Sequence, residues 1–225
     1  MESDYNLEKH NFFISLSKSF IIVLLIWLAF VVNDVFSLQF YEYGLRPRTL
    51  KGLVGIFTMP FLHGDYTHLV SNSLPLFLLS FGIFYFFEGK ALSILLMTWI
   101  SSGILTWVIG AGGLHIGASG MVYALAFFMV TISLIKMETK LLAYTLIIIF
   151  LYGSLVWGFF PILFPGKQIS WEGHLAGAIT GIILAVFYRN DGPRKKEYFL
   201  DEKEEEMEDE MSDEDKYWEE NPKTD

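Results

Sequence analysis

Three apolar segments of this chain begin with polar side chains of the types that hydrolytic enzymes use. His68 and Asn72 lie four residues apart in HLVSN, a spacing that puts two side chains on one face of a helix. Ser119 and Tyr123 have the same spacing in GASGMVY, and His174 lies at the start of GHLAGAITG. A serine hydroxyl becomes a good nucleophile when a base removes its proton, and histidine is the usual base because its pKa lies near neutrality. The residue types therefore predict nucleophilic catalysis by Ser119 with His174 as its base.

The apolar segments that carry these residues are long enough to cross a bilayer. The chain is 53% hydrophobic, and a bilayer core of about 30 Å needs roughly 20 apolar residues per helix. We therefore expect an all-α membrane protein built as one bundle of six transmembrane helices. The predicted helices cover about residues 19–37, 68–87, 91–110, 117–136, 141–163 and 173–189.

The polar side chains of the second, fourth and sixth predicted helices lie at a similar depth. Each of these helices ends at a charged residue on the inner side of the membrane. The three end markers are Glu88, Lys136 and Arg189. With a rise of about 1.5 Å per residue, Asn72, Ser119 and His174 lie roughly 22 to 26 Å above those ends. Polar groups at such a depth usually face the interior of a bundle, because lipid cannot satisfy their hydrogen bonds.

Glycines predict a close approach between the fourth and sixth helices. Gly177 and Gly181 are four residues apart on the sixth helix, and Gly117 and Gly120 lie on either side of Ser119. Faces of small residues at this spacing let helix backbones come close enough for side chains to hydrogen-bond between them. We therefore expect the serine of the fourth helix to meet the histidine of the sixth.

These expectations define a hypothesis for catalysis. Ser119 attacks a peptide carbonyl while His174 accepts the serine proton and returns it to the leaving amine. The backbone N–H of Ser119, the Asn72 amide and His68 are the candidate donors to the oxyanion. Tyr123, one turn below Ser119, is expected to pack against the ring of His174. The apolar parts of the fourth and sixth helices contain no carboxylate, which favours a catalytic dyad over a triad.

Charges set the expected orientation and the limits of the bundle. Lysine and arginine are more numerous on the side that holds both termini, which predicts that both termini are cytoplasmic. We expect a cytoplasmic N-terminal segment over residues 1–18, the six-helix domain over 19–190, and a cytoplasmic tail over 191–225. The tail supplies most of the net charge of -9 and is expected to be disordered, because so acidic a run cannot bury a core. The aromatic connection after the first helix is expected to fold back onto the bundle at the membrane interface.

At these positions the chain resembles the rhomboid family of intramembrane serine proteases. The matching motifs are HGDYTHLVSN at the second helix, GASG followed by Tyr123 at the fourth, and GHLAGAITG at the sixth. They occur in the family's order within residues 19–190. The Trp-Arg pair that many members carry in the first loop is not evident, and GLRPRTL occupies this region. The resemblance implies cleavage of single-pass membrane proteins in or near their transmembrane segments.

The resemblance also sets expectations for cofactors, partners and location. It implies catalysis without a metal or nucleotide cofactor, and separation of the second and fifth helices to admit substrate. The expected partners are a transmembrane protein substrate and the lipid bilayer, and no segment of nucleic-acid-binding type is visible. The six-helix form implies a bacterial plasma (inner) membrane, whereas the sequence does not indicate an oligomeric state.

Two alternative functions remain open. A catalytically inactive rhomboid-like binder or quality-control factor would keep the fold and lack Ser119 or His174, and this chain has both. A metal enzyme or transporter would use histidines near the outer side, but the chain has no HExxH spacing and no cysteine. Outside the proposed dyad, we expect His63 to order its loop by a hydrogen bond and His115 to be an ordinary loop residue. The candidate metal ligands are His63, His68, His115, His174 and Glu172.

Overall fold

Seven α-helices make up most of the part of the chain that the computed structural model describes, which is residues 2–160, 162 and 170–193. Within those ranges no β-strand is formed, although Leu45 and His115 pair in an isolated β-bridge. The predicted acidic tail lies outside the described residues from 194 onward. The helices are α1 (Glu2–Phe36), α2 (Gly55–Thr58), α3 (Tyr66–Phe86), α4 (Ala91–Ile109), α5 (Ser119–Lys136), α6 (Thr139–Tyr152) and α7 (Trp171–Phe187). Short 3₁₀ helices occur at Phe40–Tyr43, Lys51–Leu53, Met59–Phe61 and Gly153–Phe159.

Four of the described helices are long and apolar enough to cross a membrane, namely α3, α4, α5 and the Tyr5–Phe36 part of α1. The helices α6 and α7 are apolar but shorter, with 14 and 17 residues. The predicted fifth segment is divided, because α6 ends at Tyr152 and the chain continues as the 3₁₀ helix Gly153–Phe159. The described part of the chain is therefore all-α, and the protein is a multi-pass membrane protein. Helix α6 is shorter than its predicted span, whereas α7 has the predicted length and begins at Trp171, slightly earlier than expected.

The helix α1 begins at Glu2, well before the predicted start near residue 19. Its 35 residues measure about 52 Å, whereas the apolar core of a bilayer is about 30 Å thick. The early turns of α1 therefore extend beyond the apolar layer. Hydropathy did not predict them, because a polar turn can continue a helix without adding apolar content. Lys140 at the start of α6 pairs with Glu8 in this extension at 3.0 Å.

Helix α5 begins without a side-chain cap, in contrast to α3 and α6. The Asp65 carboxylate accepts a hydrogen bond from the backbone N–H of His68 at 2.8 Å, which starts α3, and Glu138 caps α6 in the same way. Ala118 precedes α5 and offers no side-chain acceptor to the helix that starts at Ser119. The first N–H groups of α5 are therefore left for other acceptors in front of the helix.

The connection between α1 and α3 packs against α4 and against the loop that precedes α5. Leu45 and His115 exchange backbone hydrogen bonds of 2.9 and 2.8 Å. Trp99 of α4 donates its indole N–H to the carbonyl of Ile56 at 3.1 Å. The Arg48 guanidinium donates to two carbonyls at the end of α4, at 3.1 and 2.8 Å. The prediction that this connection folds back onto the bundle is confirmed.

The backbones of α5 and α7 are in direct contact. A methyl group at position 177 would lie 2.2 Å from the carbonyl oxygen of Gly120, and one at position 181 would lie 2.2 Å from that of Ala124. Distances under 3.0 Å are essentially never seen for real Cβ atoms, so only glycine fits at Gly177 and Gly181. This approach sets the distance between the N-terminal ends of the two helices.

We expect Gly181→Ala to destabilise the bundle by roughly 1 to 3 kcal/mol, because the added methyl group must move α7 away from α5. Gly153→Ala is the matched control, since nothing lies within 4 Å of a methyl group there and the residue already has helical backbone angles. The measurement is the free energy of unfolding of both variants in mixed detergent and SDS micelles, relative to wild type. Equal stability of the two variants would contradict the close approach of α5 and α7.

Candidate active site

The side chains of Ser119 and His174 meet where α5 and α7 begin. Ser119 is the first residue of α5, and its Oγ lies 3.1 Å from Nε2 of His174. His174 lies in the first turn of α7 and is buried, with 8% of its surface exposed, whereas Ser119 is partly exposed. The geometry places a hydroxyl within hydrogen-bonding distance of an imidazole, as the sequence analysis predicted.

A backbone carbonyl determines which nitrogen of His174 faces the serine as an acceptor. Nδ1 of His174 lies 2.8 Å from the carbonyl oxygen of Gly158. A carbonyl oxygen only accepts hydrogen bonds, so Nδ1 carries the proton and donates to it. In the neutral ring Nε2 then has a free lone pair and accepts the hydrogen bond from Ser119. This is the tautomer that a general base for Ser119 requires.

Two aromatic rings and one glycine hold the His174 ring in place. The ring of Tyr123 stacks on that of His174, with centroids 4.1 Å apart and planes 8° from parallel. Phe159 contacts the ring of Tyr123 edge to face at 5.1 Å. A methyl group at position 158 would lie 2.1 Å from the Tyr123 hydroxyl and 2.9 Å from Nδ1 of His174. Gly158 is therefore a glycine because a side chain there would displace the stacked pair.

The other two predicted site residues, His68 and Asn72, lie against the turn that leads into α5. Gly117 has a φ of 104°, a backbone conformation that favours glycine. A methyl group there would lie 2.6 Å from the His68 ring and 3.8 Å from the Asn72 amide nitrogen. That nitrogen donates to the carbonyl of His68 at 3.0 Å, which leaves its second N–H for another acceptor. Both side chains therefore lie beside the backbone two residues before Ser119.

Known proteins share this sequence pattern. A sequence profile of the Rhomboid domain matches residues 51–191, more than half of the chain and a range that contains every residue of the site described above. This chain belongs to the rhomboid family. The uncharacterised protein Rv1337 of Mycobacterium tuberculosis is 31% identical over 185 residues, which cover 77% of this chain and 74% of that protein. The uncharacterised protein ML1171 of Mycobacterium leprae is 31% identical over 185 residues, which cover 79% and 72% of the two chains.

His115 has a larger part in this rhomboid domain than the ordinary loop position predicted for it. Its backbone pairs with Leu45, and its Nδ1 is hydrogen-bonded to the hydroxyl of Ser170, the residue before α7. His115 thus ties the loop that enters α5 to the residue that enters α7, so it helps to position the two helix ends that carry Ser119 and His174. The sequence showed only that this histidine lies next to a glycine-rich loop. It did not identify Ser170 as the partner, because the two residues are 55 positions apart in the chain.

His63 does not form the loop-ordering hydrogen bond that was predicted. Its side chain is buried, and neither ring nitrogen reaches a hydrogen-bond partner within the described residues. The ring instead contacts that of His68 edge to face at 4.9 Å. Burial, together with the positive charge that His68 would carry, lowers the pKa of His63 to about 3. His63 is therefore a neutral, buried ring that packs against His68.

The described residues also bear on the metal alternative. Among them, no group of three or more histidine, aspartate or glutamate side chains lies close enough together to hold a metal ion. His115 and His174 are each engaged in other hydrogen bonds. The candidate ligands named from the sequence therefore do not converge in this part of the chain.

We expect Gly158→Ala to disturb the tautomer of His174, because the methyl group would take the space of the stacked pair. Nitrogen-15 NMR of histidine-labelled protein should show the proton of neutral His174 on Nδ1 in wild type, and a mixed population in the variant. Gly153→Ala changes the same segment at an open position and should leave the wild-type spectrum unchanged. A neutral wild-type His174 with its proton on Nε2 would contradict the assignment.

We also expect His63 to make folding pH-dependent. Its pKa is lowered from 6.5 to about 3 in the folded protein, so between these values the unfolded chain binds a proton that the folded chain does not. Stability is then complete above pH 6.5 and falls as the pH decreases, by up to about 1.4 kcal/mol per pH unit. Unfolding of wild type and His63→Leu between pH 7 and pH 4 should show a shallower slope for the variant. Parallel slopes would show that His63 titrates alike in both states.

Proposed function

We propose that this rhomboid-family protein is an intramembrane serine endopeptidase that cleaves single-pass membrane proteins in or near their transmembrane segments. The observation that carries the proposal is the 3.1 Å contact between Ser119 Oγ and His174 Nε2. The Gly158 carbonyl supports it, because it holds the ring in the tautomer that leaves Nε2 free to accept the serine proton. A pair that served only to join two helices would not need this tautomer.

In the proposed first step, Ser119 Oγ attacks the scissile carbonyl carbon as its proton moves to Nε2 of His174. The imidazolium that forms keeps its Nδ1 proton on the Gly158 carbonyl, whose dipole stabilises the positive charge, as does the face of Tyr123. The tetrahedral intermediate collapses when Nε2 returns the proton to the leaving amine. Water then repeats the sequence on the acyl-enzyme, with His174 again as base and acid.

Donors for the oxyanion are available around the turn before α5. The uncapped N-terminus of α5 presents the backbone N–H of Ser119, and partial positive charge collects at a helix N-terminus. Asn72 retains one amide N–H, and His68 lies against the same turn. We propose that these three groups donate hydrogen bonds to the oxyanion. Gly117 and Gly120 have no side chain, which lets His68 and α7 approach the turn before α5 closely.

The proposed topology has six membrane spans with both termini in the cytoplasm. Four long helices and the shorter apolar helices α6 and α7 support the count, and the distribution of lysine and arginine supports the orientation. We keep the division into an N-terminal segment over 1–18, a protease domain over 19–190 and an acidic tail over 191–225. The mycobacterial relatives support a bacterial plasma membrane as the location.

The proposed partners are a transmembrane protein substrate and the bilayer itself. The dyad needs neither a metal nor an organic cofactor, because the serine supplies the nucleophile and the histidine moves the proton. We propose no nucleic-acid partner. A catalytically inactive family member would have no need for a serine and a histidine in hydrogen-bonding distance, which favours the protease over the binder.

The proposal predicts that Ser119→Ala and His174→Ala abolish proteolysis. Labelled single-pass membrane proteins reconstituted in liposomes should be cut by wild type, and each variant should lose about 10³-fold or more of that activity. Ser133→Ala is the matched control, because it removes a buried hydroxyl of α5 that donates a hydrogen bond to the carbonyl of Val130 within the same helix. A chelator should have no effect.

Two results would contradict the proposal. Cleavage by Ser119→Ala at the wild-type rate would show that Ser119 is not the nucleophile. Binding of a wide panel of membrane proteins by wild type without cleavage of any of them would favour the inactive binder.

A further inference from the structure

An apolar slot lies between α1 and α4, away from the proposed dyad. Its volume is about 440 Å³, within the roughly 300 to 1,000 Å³ of sites that bind small ligands. It extends from Lys18 to Ile26 along α1 and from Ala91 to Trp99 along α4, which is about 12 Å along either helix. Aliphatic and aromatic side chains line almost all of it, with Phe84 among them.

Two opposite charges lie at the end of the slot where α4 begins. Lys18 and Glu88 both line it and both are exposed. The Lys18 Nζ lies 5.4 Å from the centroid of the Phe84 ring. Within the described residues neither charge forms an ion pair, whereas Lys90 pairs with Asp191 and Lys140 pairs with Glu8. The slot is therefore apolar along its length and has one positive and one negative group at its end.

We propose that this slot binds one aminophospholipid of the surrounding bilayer, such as phosphatidylethanolamine. Part of an acyl chain occupies the slot, the phosphate lies at Lys18, and the primary ammonium donates hydrogen bonds to Glu88. A headgroup of this type carries one negative and one positive centre, as the mouth of the slot requires.

The size of the slot excludes a substrate helix as its occupant. A transmembrane helix is about 10 Å wide and 30 Å long, and fills several times the 440 Å³ of the slot. An acyl chain is narrow enough to lie between α1 and α4. The dimensions of the slot therefore fit an acyl chain and not an enclosed substrate helix.

The headgroup, and not the acyl chain, determines which lipid is preferred. An acyl chain that moves from the bilayer into the slot stays in apolar surroundings, so no hydrophobic free energy is gained. Selectivity must come from the charge-assisted contacts at Lys18 and Glu88. Phosphatidylcholine has no N–H to donate to Glu88, and phosphatidylglycerol has no ammonium. We therefore expect phosphatidylethanolamine to bind more tightly than either.

Native mass spectrometry of the intact protein in detergent, titrated with dioleoyl forms of these three lipids, tests the proposal. Wild type should bind phosphatidylethanolamine at least about threefold more tightly than the other two, and Lys18→Gln and Glu88→Gln should each remove that preference. Lys140→Gln and Glu8→Gln are the matched controls, since they remove charges from an exposed ion pair elsewhere and should keep it. Lys18→Arg should also keep it.

A second variant tests whether a lipid acyl chain occupies the apolar part of the slot. Leu96→Trp places a large ring in the slot and should weaken binding of all three lipids, whereas Ile183→Trp on the exposed face of α7 should not. Equal binding of the three lipids by wild type, or loss of the preference in the control variants as well, would overturn the proposal. The proposal would also be overturned if Leu96→Trp weakened the binding of a transmembrane substrate peptide and left the binding of all three lipids unchanged. Proteolytic activity is not part of the readout, so this result is independent of the proposed function.

Discussion

The close backbone contact between α5 and α7 is the constraint on which the rest of the site depends. Gly177 and Gly181 leave no room for a side chain against the carbonyls of α5, so the two helices approach as far as their backbones allow. Ser119 and His174 lie at the starts of these two helices, and their 3.1 Å contact requires that short interhelical distance. In a membrane, where lipid removes the hydrophobic drive for helices to associate, packing of small residues is the main way to achieve it.

The proposed base is oriented by an uncharged group. His174 lies between the ring of Tyr123 and the carbonyl of Gly158, in the place where soluble serine hydrolases use a carboxylate. A buried carboxylate would need several partners to offset its desolvation, and an apolar bundle offers few. A carbonyl supplies the acceptor without a net charge. Because it belongs to the 3₁₀ helix Gly153–Phe159 that follows α6, the orientation of the base depends on the position of that segment.

The pair Ser119 and His174 was predictable because polar side chains are rare in apolar segments and glycine spacing marks a close helix contact. The features that the sequence did not reveal have physical reasons. Every residue has a carbonyl, so nothing in residue type marked Gly158 as the acceptor. The apolar content of the fifth segment did not distinguish an α-helix from the 3₁₀ helix that follows α6. The role of His115 depends on a partner 55 residues away. Apolar content also missed the polar turns at the start of α1. The hydrogen bond expected of His63 is absent from the described residues, where its buried ring packs against that of His68.

Covalent labelling of the intact protein in liposomes by a fluorophosphonate, followed by mass-spectrometric location of the adduct, tests the central claim most directly. Such a reagent reacts with a serine only where a base activates it, and it does not require the natural substrate. The account predicts one adduct, on Ser119, that is lost in His174→Ala and retained in Gly153→Ala. Labelling of Ser119 that proceeds equally without His174, or no labelling of Ser119 in the folded wild type, would contradict the assignment of these two residues as nucleophile and base.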